Sequence, residues 1–153
     1  MSSRGFSLLE LLVVLTVLGF ALMWSGPSLQ KLNESIEYRR AINEISSSLR
    51  LARREARSSG VATDVLVDPA ANLIAVSKSS YSLARDGFTQ IPTELSINVI
   101  SASEMSPDGS LAAIRFFPNG GSSGGEIALF RHSGSGIVFH VDWLLGDVRE
   151  ELL

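Results

Sequence analysis

Cysteine is absent from this chain of 153 residues. That excludes a disulfide framework, a thiolate metal site and a cysteine nucleophile, and it leaves the compartment undecided. An excess of basic residues is also lacking. Thirteen Lys and Arg face sixteen Asp and Glu, a formal net charge of -3, which argues against a chain built mainly to hold phosphates. Several catalytic signatures are missing too. The glycine-rich segment 120–125 has neither the lysine nor the following helix of a phosphate loop. His132, Ser133, Ser135, His140 and Asp142 fall close together, but no nucleophile elbow precedes either serine. Asp142, Asp147, Glu150 and Glu151 offer oxygen ligands without the spacing of a calcium loop, and they read as a solvated acidic tail. No catalytic residue, metal ligand or cofactor is expected.

Charge is scarcest at the start. Residues 6–23 read FSLLELLVVLTVLGFALM, with Glu10 as the single charged side chain. As a helix this run spans roughly 27 Å, close to the ~30 Å hydrocarbon core of a bilayer. It is apolar on every side and terminal, unlike a buried helix of a soluble protein. Only five residues precede it, and Arg4 is their one charged side chain, which favours keeping that end in the cytoplasm. A cleaved secretory signal fits less well. Glu10 would interrupt its apolar stretch, and the helical pattern continues past the small-x-small site at Gly19 and Ala21.

Glu10 therefore needs a reason. An acidic side chain at the centre of a membrane helix costs roughly 2.5–3.5 kcal/mol on insertion scales, so such residues are usually paired and functional. The alternative is a carboxylate that reaches the headgroups near the membrane surface.

The run Arg4-Gly5-Phe6-Ser7-Leu8-Leu9-Glu10-Leu11-Leu12-Val13-Val14 resembles the signal of type IV pilins and type II secretion pseudopilins. Four features coincide: a short basic leader ending in glycine, a phenylalanine, a glutamate four residues later and a long aliphatic run. The resemblance implies cleavage between Gly5 and Phe6 by a prepilin peptidase, N-methylation of Phe6, and a role for Glu10 in assembly. Glu10 would pair with the new ammonium at Phe6, ~6 Å away along the helix axis, in its own chain or in a staggered neighbour. Gly26 and Pro27 sit where that family breaks its helix. A proline there removes one backbone bond and usually kinks the helix, while Trp24 marks an interface at the end of the span.

Beyond Pro27 the helix resumes as an amphipathic segment. Leu29, Leu32, Ile36, Ile42, Ile45, Leu49, Ala52 and Ala56 recur near three- and four-residue spacing. Charged residues lie between them, and a basic cluster, Arg50, Arg53, Arg54 and Arg57, approaches the C-terminal end, where it suits the helix dipole. That cluster reads as a solvated face, with a DNA-binding patch as the rival. Ser58, Ser59 and Gly60 end the helix.

From Val61 the period shortens to that of strands. Residues 63–67 and 73–77 flank a turn at 68–72 and read as a hairpin. Residues 95–100, 111–117, 126–131 and 137–141 read as further strands, with 118–125 as a hairpin connection and Val148 in a last short strand. The expected fold is α+β and pilin-like, a long N-terminal helix packed on antiparallel sheets. Its parts are a leader at 1–5, a transmembrane helix at 6–24, an amphipathic continuation at 25–59 and a periplasmic β-rich domain at 60–153.

The segment Phe116-Phe117-Pro118-Asn119-Gly120-Gly121, the Gly124-Gly125 pair, the following aliphatic strand and the closing Trp143-Leu144-Leu145-Gly146-Asp147-Val148-Arg149 resemble the GspH/FimT group. This implies a minor pseudopilin of type II secretion in the inner membrane, with its C-terminal domain in the periplasm. It would lie near the tip of the pseudopilus and help export folded proteins. Its partners would be other minor pseudopilins, the major pseudopilin, the prepilin peptidase and inner-membrane lipid. The alternative is a FimT-like minor pilin of type IV pili that binds DNA for uptake. Against it, Asp147 stands after Gly146 where a basic residue would follow, and Glu150 and Glu151 come next.

Overall fold

The computed structural model describes residues 7–78, 87–101, 103–104 and 111–153, with the backbone alone described for 22–33, 101 and 103–104. Two compact units are present, 1–37 and 38–153. The first consists, in its described part, of the beginning of a single α-helix, α1 (Leu8–Ser59). The second holds the rest of that helix and, among the described residues, nine strands.

Within the second unit α1 buries one face. Tyr38, Ala41, Ile45, Leu49, Ala52 and Ala56 are buried at steps of three or four residues. This stripe is turned slightly from the one expected. Ile42 lies on its flank, half-buried, and Tyr38 and Ala41 take the centre, a place their hydroxyl and small size disguise in sequence. Tyr38 packs under a cation, with the Arg131 guanidinium 3.8 Å from its ring centre. Leu29 and Leu32 have side chains outside the described residues. The helix ends as expected: the Gly60 N–H donates to the Ala56 carbonyl at 3.1 Å, and Gly60 takes φ 70°.

The strands form two antiparallel sheets. One has the order β3 (Thr89–Gln90), β2 (Leu73–Ser77), β1 (Thr63–Asp68), β6 (Ala112–Phe116), β5 (Ser103–Glu104). The other runs β4 (Leu95–Ser101), β7 (Gly125–Arg131), β8 (Gly136–Val141), β9 (Val148–Leu152). Val65, Val67, Ile114 and Phe116 of the first sheet meet Ile127, Leu129, Ile137 and Phe139 of the second in one core that also takes the helix stripe. Across β1 and β6, Asp64, itself buried, accepts a two-pronged hydrogen bond from Arg115 at 2.6 and 2.8 Å.

The hairpin expected at 68–72 is present. β1 and β2 pair antiparallel, and Asp68 Oδ1 accepts from the Ala70 and Ala71 amides at 3.0 Å, while Asn72 takes φ 52°. The segment 118–125 is different. β6 and β7 do not pair; they belong to separate sheets. This loop opens as a short hairpin on the end of β6 and then crosses between layers, so it does not join two strands of one sheet. The local turn chemistry holds, since the Gly120 N–H donates to the Phe117 carbonyl at 3.0 Å. The chain first returns along the end of β6, with an antiparallel bridge between Phe116 and Ser122 and the Ser123 N–H donating to the Arg115 carbonyl at 2.8 Å. Only then does it enter β7 beside β4. Gly125 makes that entry possible: at φ 139° a Cβ would lie 2.7 Å from the Ile100 carbonyl. The two-residue edge strands β3 and β5 are too short to carry an alternating pattern.

Leu49→Ala is expected to destabilise the fold by about 3 kcal/mol, as for other large-to-small core changes. Leu51→Ala, at an exposed position of the same helix, should stay within about 0.5 kcal/mol. Denaturant unfolding of the full chain in detergent, followed by circular dichroism, separates the two.

Candidate assembly surfaces

The helix begins at a cap. Ser7 Oγ accepts from the Leu9 N–H at 3.3 Å, and the Ser7 carbonyl accepts from the Glu10 and Leu11 amides at 3.0 and 3.2 Å. Ser7 and Glu10 thus have the spacing of a capping box, with a carboxylate in the first turn where it offsets the positive end of the helix. The pattern Ser-x-x-Glu before an apolar run was the available signal for Ser7 as a cap. Glu10 is exposed, and so are the side chains from Leu8 to Phe20 on every side of it. Gly5 and Phe6 lie outside the described residues. Gly26 and Pro27 fall within α1, whose backbone assignment continues through both; their side-chain surroundings lie outside the described residues. Among the described residues no helix is long and apolar enough to cross a membrane; these give side chains for only part of the run 6–23.

A second surface lies at the other end of the helix. The acidic residues expected to be a solvated tail are in fact engaged. Arg53 Nη1 sits 2.8 Å from Asp147 Oδ1, and Arg53 Nη2 donates to the Leu145 carbonyl at 2.9 Å. Glu150 accepts from Ser46 Oγ at 2.9 Å and lies 3.6 Å from Arg50. The arginines therefore clasp the turn between β8 and β9 and the strand that follows, and only part of the basic cluster is a solvated face. The sequence separates these partners by nearly the whole domain, so their pairing left no local signal.

The clasped turn is tightly specified. Asp142 Oδ1 accepts from the Leu144 and Leu145 amides at 2.9 and 2.8 Å. The Gly146 N–H donates to the Asp142 carbonyl, and the Asp142 N–H to the Asp147 carbonyl, both at 2.9 Å. The Ser122 N–H donates to the Trp143 carbonyl at 2.9 Å, tying in the loop that crosses between sheets. Gly146 takes φ 60°, and a Cβ there would lie 2.7 Å from the Gly120 carbonyl. Only glycine fits.

Four of the five polar residues weighed for catalysis have other partners. Ser133 and Ser135 share a hydrogen bond of 3.2 Å. His140 lies between Glu126 at 3.0 Å and Glu151 at 3.3 Å, across three strands. Asp142 caps the turn just described. Among the described residues no group of three His, Cys, Asp or Glu side chains is placed to hold a metal ion.

The family model described as Type II transport protein GspH matches residues 41–144. The chain belongs to that family. A second model, the prokaryotic N-terminal methylation motif, matches residues 1–25. Members of the GspH family are minor pseudopilins of type II secretion, and membership makes this chain one in kind, a subunit that assembles with other pseudopilins. Type II secretion system protein H of Xanthomonas campestris pv. campestris is 27% identical over 146 residues, covering 95% of this chain and 82% of that protein. The fold matches solved pilin-like structures. The minor pseudopilin EpsH of Vibrio cholerae aligns with TM-score 0.54 and 12% identity, over 76% of this chain and 96% of that one. The type IV minor pilin FimU of Pseudomonas aeruginosa aligns with TM-score 0.56 and 19% identity, over 78% and 92%.

In this GspH-family chain, Arg53→Met should release the β8–β9 turn. The Leu145 and Gly146 amides are expected to exchange hydrogen at least about tenfold faster, for a loss of about 1–2 kcal/mol in a partly exposed ion pair and one hydrogen bond. Hydrogen-exchange mass spectrometry reads the change; unaltered exchange would show that the clasp does not hold the turn.

Proposed function

We propose that the chain is made with a five-residue leader, cut between Gly5 and Phe6 by the prepilin peptidase, N-methylated at Phe6 and held in the inner membrane by residues 6–24. The β-rich domain then stands in the periplasm as a subunit just beneath the pseudopilus tip. There it links other minor pseudopilins to the major one and helps export folded proteins. It works as a structural part and carries out no catalysis.

One observation carries this reading. Glu10 is the only charge in an apolar run of membrane-spanning length, and the N-terminal methylation motif covers that run. Cleavage would create an ammonium at Phe6, one turn away. Each charge is costly in hydrocarbon alone. Together, and above all between staggered subunits, they form a pair that fixes the axial register. A neutral side chain at position 10 would enter the membrane more readily and lose that register. Pro27 lacks the N–H that would bond the carbonyl of residue 23. With Gly26 it gives the helix a place to bend or partly melt during packing.

A second reading is a type IV pilus subunit that binds DNA; the minor pilin FimU shares the fold. The family match and the Xanthomonas relative favour secretion. A salt-dependent gel shift with duplex DNA separates the two readings, and tight, salt-sensitive binding would favour the pilus branch.

Glu10→Gln should leave insertion and cleavage unchanged and reduce incorporation into filaments at least about tenfold. Mass spectrometry of the membrane form should find N-methyl-Phe6 at the terminus. A fully working protein that keeps its first five residues would overturn the reading, and normal assembly of Glu10→Gln would remove the register role.

A further inference from the structure

The turn between β8 and β9 presents Trp143, Leu144 and Leu145 to solvent at 68%, 61% and 56% exposure. Consecutive large apolar side chains at this exposure are unusual on a finished surface. This turn is also rigid: Asp142 caps its amides, Arg53 and Ser122 hold its carbonyls, and Gly146 fixes its backbone. A partner would meet apolar anchors already ordered, so little conformational entropy is lost on contact.

The rim is charged with one sign in excess. Arg50, Arg53, Arg54 and Arg57 line an open groove along α1 beside the turn, and Arg149 joins Arg50 and Arg53 in the adjoining hollow. Against these five arginines stand four carboxylates: Asp147 and Glu150, which meet Arg53 and Arg50, and Asp142 and Glu126 on the Trp143 side, so the excess lies along α1 at Arg54 and Arg57. Among the described residues Arg54 and Arg57 make no ion pair. A local positive excess in a chain of net charge -3 selects a partner of opposite sign.

We propose that the Trp143–Leu145 turn and the arginine groove beside it form one docking face, and that its occupant is a neighbouring filament subunit presenting an apolar socket rimmed by carboxylates. The inference rests on the assembly reading above and names the surface that carries it. Two adjacent leucines offer nothing to a nucleobase edge. Asp147 and Glu150 occupy Arg53 and Arg50, which leaves, among the described residues, only Arg54 and Arg57 of the α1 cluster outside an ion pair, few for a run of phosphates. Both features suit a protein socket, in which the apolar turn is buried and Arg54 and Arg57 find carboxylates.

The test uses the full chain in cells that assemble the secretion apparatus. A photo-crosslinking amino acid is placed at Leu144, with a control at Ser133, which lies at the far end of β8, about 20 Å away. Leu144 should crosslink to a pilin-like subunit, at a peptide with apolar and acidic residues. The yield should fall at least fivefold in the double variant Arg54→Gln, Arg57→Gln, and likewise in Trp143→Ser. Both variants are checked for unchanged thermal unfolding, so that loss of fold is not read as loss of contact. Crosslinks only to lipid or nucleic acid, equal yield from Ser133, no crosslink at all, or a yield unmoved by the arginine changes would each overturn the proposal. The terminus is read in the same sample. A chain processed to Phe6 without a Leu144 crosslink sinks the docking face alone. An unprocessed chain that crosslinks and works sinks the leader reading and leaves the docking face standing.

Discussion

One helix here has to satisfy two kinds of surroundings. Up to Ala21 its described side chains are apolar all round apart from Glu10 and Thr16. From Tyr38 onward it is apolar on one face alone. Those two patterns cannot trade places. The first half placed on the sheets would leave leucines facing water on three sides. The second half placed in lipid would carry its arginines with it. The division of labour along α1 is thus set by side-chain chemistry, and the sheets have one stretch of helix on which to close.

That closing explains the order of the strands. A single helix face must serve both sheets, so the two layers have to converge on it. The core does this with β1 and β6 from one side and β7 and β8 from the other. The segment 118–125 makes the passage between layers; Gly121 and Gly125 let backbone pass close to backbone, while Gly120 and Gly124 supply positive φ. The same loop then supports the β8–β9 turn through Ser122. A mutation in the crossing would therefore be felt at the apolar tip as well as in the core, because both depend on the same few backbone contacts.

Much of this was legible in the residues. The apolar run with its single carboxylate, the buried line at Ile45, Leu49, Ala52 and Ala56, the turn at Asp68 and the strands around it all follow from local pattern. What was hidden depended on distance in sequence. The crossing at 118–125 has the turn residues of a hairpin, and only the pairing of β7 with β4 and β8 distinguishes it. Arg53 and Asp147 look solvated when each is read among its own neighbours. Tyr38 and Ala41 are buried because of what packs over them, which the helix itself does not encode. The capping serine was readable, but the stronger meaning of Glu10 masked it.

Asp147 changes meaning once its partner is known. Read alone, it is a negative charge that would repel a phosphate. In the fold it neutralises Arg53, and the surroundings stay basic through Arg50, Arg54, Arg57 and Arg149. The acid therefore does not turn the region negative. It orients Arg53 toward the turn, fixes Trp143, Leu144 and Leu145 in their exposed places, and leaves the remaining arginines to set the sign of the rim. A cation at 147 would instead stand beside Arg53 as a like charge, weakening the clasp and adding a free phosphate contact. One position thus exchanges a loosely held basic end for a rigid apolar tip with a basic border, and that exchange favours recognition of a folded protein surface over a nucleic-acid backbone.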